Sequence, residues 1–117
     1  MYNKVFLIGR VAKDPELRLT PSGVPVTRFV VAVDRFKKKS NNEDKITDFF
    51  RVVAWRRLAE ICNQYLKKGK LIEIEGRLQI DSYQKDGESR SITEVIMDNM
   101  QMLDKINNDE KSENENQ

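Results

Sequence analysis

The sequence contains no histidine and only one cysteine, Cys62. Without histidine, imidazole acid–base catalysis and the triads built on it are excluded. A single thiol can neither close an internal disulfide nor assemble a structural zinc site. It fits a reducing compartment and reads as a small buried hydrophobe, not a redox group. The acids are scattered without the spacing of a carboxylate or metal–carboxylate centre, so the sequence predicts no catalytic residue, metal or cofactor. A run of about 18 apolar residues is also missing, which argues against a membrane span. Met1 to Gly9 lacks the basic segment, long apolar stretch and cleavage site of a secretory leader, so a cytoplasmic location is expected.

What is present is a short, charged chain. Its 117 residues suit one domain, and 34% charged against 38% hydrophobic residues leave it globular with much solvated surface. The net charge of +2 hides a division: residues 104–117 carry −3 from side chains, leaving +5 on residues 1–103. A basic body with an acidic tail is common among proteins that bind polyanions. The reading is therefore a folded unit over 1–103 and a tail over 104–117, disordered because it holds almost no apolar residue.

The most informative stretch is Thr47-Asp48-Phe49-Phe50-Arg51-Val52-Val53-Ala54-Trp55. Aromatic and β-branched residues without Gly or Pro predict a strand. Alternation puts Phe50, Val52 and Ala54 on one apolar face and Phe49, Arg51, Val53 and Trp55 on the other. Burying that second face would leave the guanidinium unpaired at a cost of several kcal/mol. Two rings flanking a cation on an open sheet face are what base stacking requires.

Around it, Met1 to Val11 reads as a strand, apolar on both faces and interrupted by Gly9, which suggests a bulge or a close backbone approach. Lys13-Asp14-Pro15-Glu16 is expected to break it, and Thr20-Pro21-Ser22-Gly23 to turn. Val24 to Phe36 is a second strand with Phe29, Val31 and Val33 inward, and Ser40 to Lys45 a loop. Arg56 to Lys68 predicts the one helix, with an apolar stripe of Leu58, Ile61, Cys62, Tyr65 and Leu66. Lys67 and Lys68 suit its negative end, and Gly69 would stop it. Lys70 to Ile80 is a fourth strand carrying Ile72, Ile74, Leu78 and Ile80, with Gly76 a candidate bulge. Asp86-Gly87 signals a hairpin tip, and Ile92 to Leu103 is the fifth strand.

An all-β chain of five strands with one helix between the third and fourth has the element order of the OB-fold, a barrel that commonly binds oligonucleotides. Four rings escape the core pattern: Phe36, Phe49, Trp55 and Tyr83. Each lies near cations, namely Lys37, Lys38, Lys39, Arg51, Arg56, Lys85 and Arg90. Stacking contributes about 1–3 kcal/mol per base without regard to sequence, and the cations would follow phosphates. Taken alone, Trp55 suits a core or an oligomer contact as well, and Tyr83 an ordinary hairpin position. The other readings of the whole are an OB-fold RNA binder and a small β-barrel that binds a protein.

Several segments resemble bacterial single-stranded DNA-binding proteins. They are Asn3-Lys4-Val5-Phe6-Leu7-Ile8-Gly9-Arg10, Asp14-Pro15-Glu16-Leu17-Arg18, Thr20-Pro21-Ser22-Gly23, and Phe49 to Trp55 running into Leu58-Ala59-Glu60. Tyr65-Leu66-Lys67-Lys68-Gly69, Glu75-Gly76-Arg77-Leu78 and Thr93-Glu94-Val95 follow in the family's order and spacing. The resemblance implies an OB-fold that assembles as a homotetramer and binds single-stranded DNA in replication, recombination and repair, associated with the nucleoid. By position it assigns base stacking to Phe36, Phe49, Trp55 and Tyr83, where relatives often have tryptophan at sites here held by Phe or Tyr. Many relatives continue into a long linker and an acidic, hydrophobic-capped tip that recruits other proteins. The sequence through Gln117 shows no such tip, so it resembles the family's short forms, and recruitment of replication and repair proteins is not expected.

Overall fold

A computed structural model of the protein describes residues 1–39 and 42–104, with side chains placed for these except at residues 37–44. The elements are β1 (Val5–Leu19), β2 (Pro25–Lys39), β3 (Asn42–Trp55), α1 (Arg57–Tyr65), β4 (Leu71–Lys85) and β5 (Glu88–Met102). The strands close a barrel in the order β1-β2-β3-β5-β4. Every pairing is antiparallel except the short parallel contact of β3 with β5, where Val52 faces Val95 and Val53 faces Ile96. This is the expected OB-fold, with the helix between the third and fourth strands. The expected tail lies outside the described residues apart from Asp104, whose Oδ2 accepts the Leu71 amide at 2.9 Å.

The inward positions alternate as the strand period requires. Phe29 and Val31 of β2, Val52 and Ala54 of β3, Ile72 and Ile74 of β4, and Val95 and Met97 of β5 meet inside the barrel. Helix α1 closes one end with Ala59 and Cys62, joined by Leu66 just past its last turn. Thr27, buried at the helix contact, donates its hydroxyl to the Ala59 carbonyl at 2.7 Å. That bond removes the cost of a buried hydroxyl and fixes the helix on β2. Cys62 Sγ lies 3.7 Å from Met97 Sδ, and burial pushes its thiol up to about 12.

Five local expectations are corrected. The loop expected over Ser40 to Lys45 is strand from Asn42 onward, paired there with Lys39 of β2. β1 does not stop at Val11 but runs to Leu19, because register shifts between Val11, Lys13 and Glu16 absorb the Pro15 segment as an irregularity. The helix ends at Tyr65, not near Gly69, and its last turn has no basic residue. Gly69, at φ +98, instead shapes a turn in which the Lys70 amide reaches the Lys67 carbonyl. Tyr65 leaves the predicted stripe and is exposed, its place on the buried face taken by Ala59. Leu78 and Ile80 are exposed as well, although Ile72 and Ile74 of the same parity are fully buried.

Gly76 explains that last difference. The pairing of β4 with β5 shifts register between Glu75 and Gly76, and an added Cβ at Gly76 would collide with the Ile96 carbonyl. The strands therefore cross at close backbone contact, and beyond that point the β4–β5 hairpin leaves the barrel as an arm. Asn3 caps the junction. Its amide donates to the Leu78 carbonyl at 2.7 Å and accepts the Leu78 amide at 3.0 Å, which imitates one further strand pair. The arm ends at Asp86-Gly87, where φ of 53 and 77 make the predicted two-residue turn.

Candidate nucleic-acid interface

The register fixes which side chains share the outer face, since directly opposed residues of a sheet point the same way. Across β2 and β3, Val26 opposes Trp55, Arg28 opposes Val53, Val30 opposes Arg51, Ala32 opposes Phe49 and Phe36 opposes Lys45. Phe36, Phe49, Arg51 and Trp55 thus stand on one face. At about 3.3 Å per residue, Phe49 and Trp55 are roughly 20 Å apart along β3. Phe36 stands opposite a position about 13 Å beyond Phe49 in the other direction.

Tyr83 joins the same surface through β5. Tyr83 opposes Arg90, Asp81 opposes Ile92, Gln79 opposes Glu94 and Arg77 opposes Ile96. Ile96 packs with Val53 and Val26 in a small cluster outside the main core, and Glu94 bonds Arg28 at 3.4 Å. The face bearing Tyr83 is therefore continuous with the face bearing Trp55. Val53, placed by alternation among exposed platform residues, is instead buried at 1% within that cluster. Three β-branched side chains from β2, β3 and β5 make a dry floor between the rings.

The rings themselves are open to solvent. Phe36 is 66% exposed, Phe49 65%, Trp55 40% and Tyr83 46%, whereas Phe29 of the core is 2% exposed. An open cleft of about 600 Å³ lies between the β2–β3 ribbon and the arm, lined by Val30, Phe49, Phe50, Arg51, Leu78, Thr93 and Val95. Arg51, Arg56, Lys85 and Arg90 are all exposed, with Arg90 facing Glu88 at 3.5 Å. The side chains of Lys37, Lys38 and Lys39 lie outside the described residues, although their backbone continues the β2–β3 ladder past Phe36.

Arg56 has a backbone reason for its position. Its φ of 59 and ψ of −123 turn the chain sharply from β3 into α1, and its amide donates to the Pro25 carbonyl at 2.9 Å. A non-glycine residue there is strained by about 1–3 kcal/mol. Between Phe36 and Phe49, Asp34 accepts the Thr47 hydroxyl at 2.8 Å and faces Lys45 Nζ at 3.3 Å. The hydroxyl first, then Lys45, holds the Asp34 carboxyl below its ordinary 3.8 against the opposing effect of burial.

Two cations on this face were not singled out from the sequence. Lys13 opposes Val30 and Arg28 opposes Glu16, which places both beside Arg51. Their signal was the parity of Arg28 with Phe36 along β2, which becomes decisive only once the β1–β2 register is known. Among the described residues no group of three or more His, Cys, Asp or Glu is arranged to hold a metal ion. No described helix is long and apolar enough to cross a membrane.

Comparison with known proteins matches this architecture. Residues 2–103 fit the model of the single-strand binding protein family. A single-stranded DNA-binding protein of Clostridium tetani is 51% identical over 105 residues, covering 87% of this chain and 70% of that protein. Single-stranded DNA-binding protein 1 of Chlorobaculum tepidum is 48% identical over 104 residues, and the match spans 86% of this chain but only 64% of that relative. Among solved structures, a Plasmodium falciparum SSB in complex with single-stranded DNA superposes with a TM-score of 0.83 at 27% identity. That match covers 89% of this chain and 96% of that one. The chain belongs to the single-strand binding protein family.

Proposed function

We propose that this protein binds single-stranded DNA without sequence preference and without catalysis, bases stacking on Phe36, Phe49, Trp55 and Tyr83. The observation that carries the proposal is the exposure of these four rings on one continuous outer face, in contrast to Phe29, which is buried in the core. Each stacked base contributes about 1–3 kcal/mol and any base serves, because every base has an aromatic face. Duplex DNA keeps those faces hidden, so preference for single strands follows from geometry alone. Arg51, Arg56, Lys85 and Arg90, with Lys37, Lys38 and Lys39, neutralise the phosphates that accompany the stacked bases.

The folded unit of residues 1–103 carries this activity, and its biological setting is the protection of single strands in replication, recombination and repair in the bacterial cytoplasm. A homotetramer is part of the same proposal. Tyr2, Phe6 and Ile8 along and before β1 are 91%, 55% and 48% exposed, an apolar strip that a second subunit would cover.

Trp55 is the only tryptophan, so its emission reports on the platform directly. Titration with oligo(dT) is expected to quench it, and log affinity to fall linearly with log salt by about 0.7 per neutralised phosphate. Saturated binding with unchanged Trp55 emission would refute stacking on this ring. Equal affinity for oligo(U) and oligo(dT) would remove the preference for DNA.

A further inference from the structure

Lys13, Val30 and Arg51 form a row of mutually opposed residues across β1, β2 and β3. Adjacent strands lie about 4.8 Å apart, so the two cations flank Val30 with backbones roughly 10 Å from each other. They border a cleft of about 420 Å³ that also receives Arg28, Glu16 and Glu94. The row crosses the strands, whereas the aromatic row of Phe49 and Trp55 runs along one strand.

Glu94 is the unusual member. Its side chain is 10% exposed, against 56% for that of Arg28, its ion-pair partner. Only Nε of that guanidinium meets Glu94 among the described residues, at 3.4 Å. A pair built for stability would be shorter and bidentate. Glu16 is already held by Arg18 on the same edge, which leaves Glu94 as the carboxylate acting on Arg28. A buried acid therefore sits beneath three exposed cations and satisfies one of them poorly.

We propose that this cleft is a further phosphodiester site for the bound strand, with Lys13, Arg28 and Arg51 as its cations and Glu94 as an internal competitor for Arg28. The inference rests on the single-stranded DNA reading above. A phosphate entering the cleft takes the Arg28 fork, which can give it two parallel hydrogen bonds, and Glu94 loses its partner. Repulsion between Glu94 and that phosphate restrains affinity, so the wild-type site is held below the grip its cations could supply.

The test follows anisotropy of labelled oligo(dT) over a salt series, using the full chain. Glu94→Gln is expected to bind about 3–10-fold tighter at low salt. Its log–log slope should steepen by about 0.7, the increment of one phosphate. Arg28→Gln is expected to bind more weakly with a shallower slope, and to abolish the gain from Glu94→Gln in the double variant. Unchanged or weaker binding by a folded Glu94→Gln overturns the competitor role, as does a gain that survives Arg28→Gln. Lys13→Gln, at an exposed position, tests the site independently of whether Glu94→Gln folds. A slope and affinity equal to wild type would overturn the site. Failure of the stacking reading looks different: wild type itself would then show no quenching of Trp55 by oligo(dT).

Discussion

Arg56 combines two demands in one residue. The chain must reverse sharply between Trp55 and α1, and Arg56 does so at φ 59, where glycine is the unstrained choice. A cation is nonetheless present beside the last ring of the platform. Arg56→Gly is expected to raise stability by about 0.5–1 kcal/mol, because relief of roughly 1–3 kcal/mol of backbone strain exceeds the roughly 0.5–1 kcal/mol of extra chain entropy that glycine loses on folding. The same change should flatten the salt dependence of DNA binding by about 0.7. Chemical denaturation and a salt titration on the same variant read the two effects separately. Asp34 gives a second test at this scale. Its carboxyl lies below 3.8 chiefly because the Thr47 hydroxyl donates to it, so Thr47→Val should move its NMR titration midpoint upward. A lowered value means that Asp34 supports the β2–β3 ribbon above its ordinary range and stops doing so as pH falls through the lowered midpoint. In Thr47→Val the contribution is smaller and its loss is complete at a higher pH.

Among the elements, the β4–β5 hairpin shows most clearly what alternation could and could not disclose. Ile72, Ile74, Leu78 and Ile80 form one apolar series in the sequence, yet only the first two are buried. The series cannot reveal that the barrel ends at Gly76, because burial past that point depends on where another strand crosses. Gly76 itself was legible as an interruption. Its reason, the Ile96 carbonyl against the missing Cβ, was not. Gly76→Ala is expected to cost about 1–3 kcal/mol through overpacking and to re-aim the arm. Binding should weaken beyond that of a variant equally destabilised in α1, which urea denaturation and DNA titration would show together. β1 teaches the same lesson from the other side. Asp14-Pro15 looks like an end, but a shift in register accommodates it, and Asp14 Oδ1 accepts the Lys68 amide at 2.8 Å.

In the whole molecule, the fold class was legible because five strands and one helix each carry their own local signal. The four rings were legible for a related reason: each falls off the inward parity of its strand. Lys13 and Arg28 were not, since their nearness to Arg51 is created by pairing between strands distant in sequence. Cys62 offers a global probe. Burial raises its thiol from 9.0 to about 12, so the folded state keeps it protonated where the unfolded chain ionises it. Its contribution to stability is complete below pH 9 and is lost as pH climbs towards 12. The difference in urea midpoint between wild type and Cys62→Ala should therefore narrow over that range. A gap that widens would contradict the burial of the thiol.

The exposure of the four rings has an evolutionary consequence. A side chain that takes no part in the barrel's interior can be exchanged without renegotiating the fold, so Phe, Tyr and Trp are interchangeable there at little cost in folding. Gly76 allows no such freedom, because one added methyl group would disturb closure of the barrel and direction of the arm together. If bases stack on these rings as proposed, lineages can thus tighten or loosen their hold on DNA through ring identity while the scaffold stays constant. Relatives of this protein are expected to differ in grip long before they differ in shape.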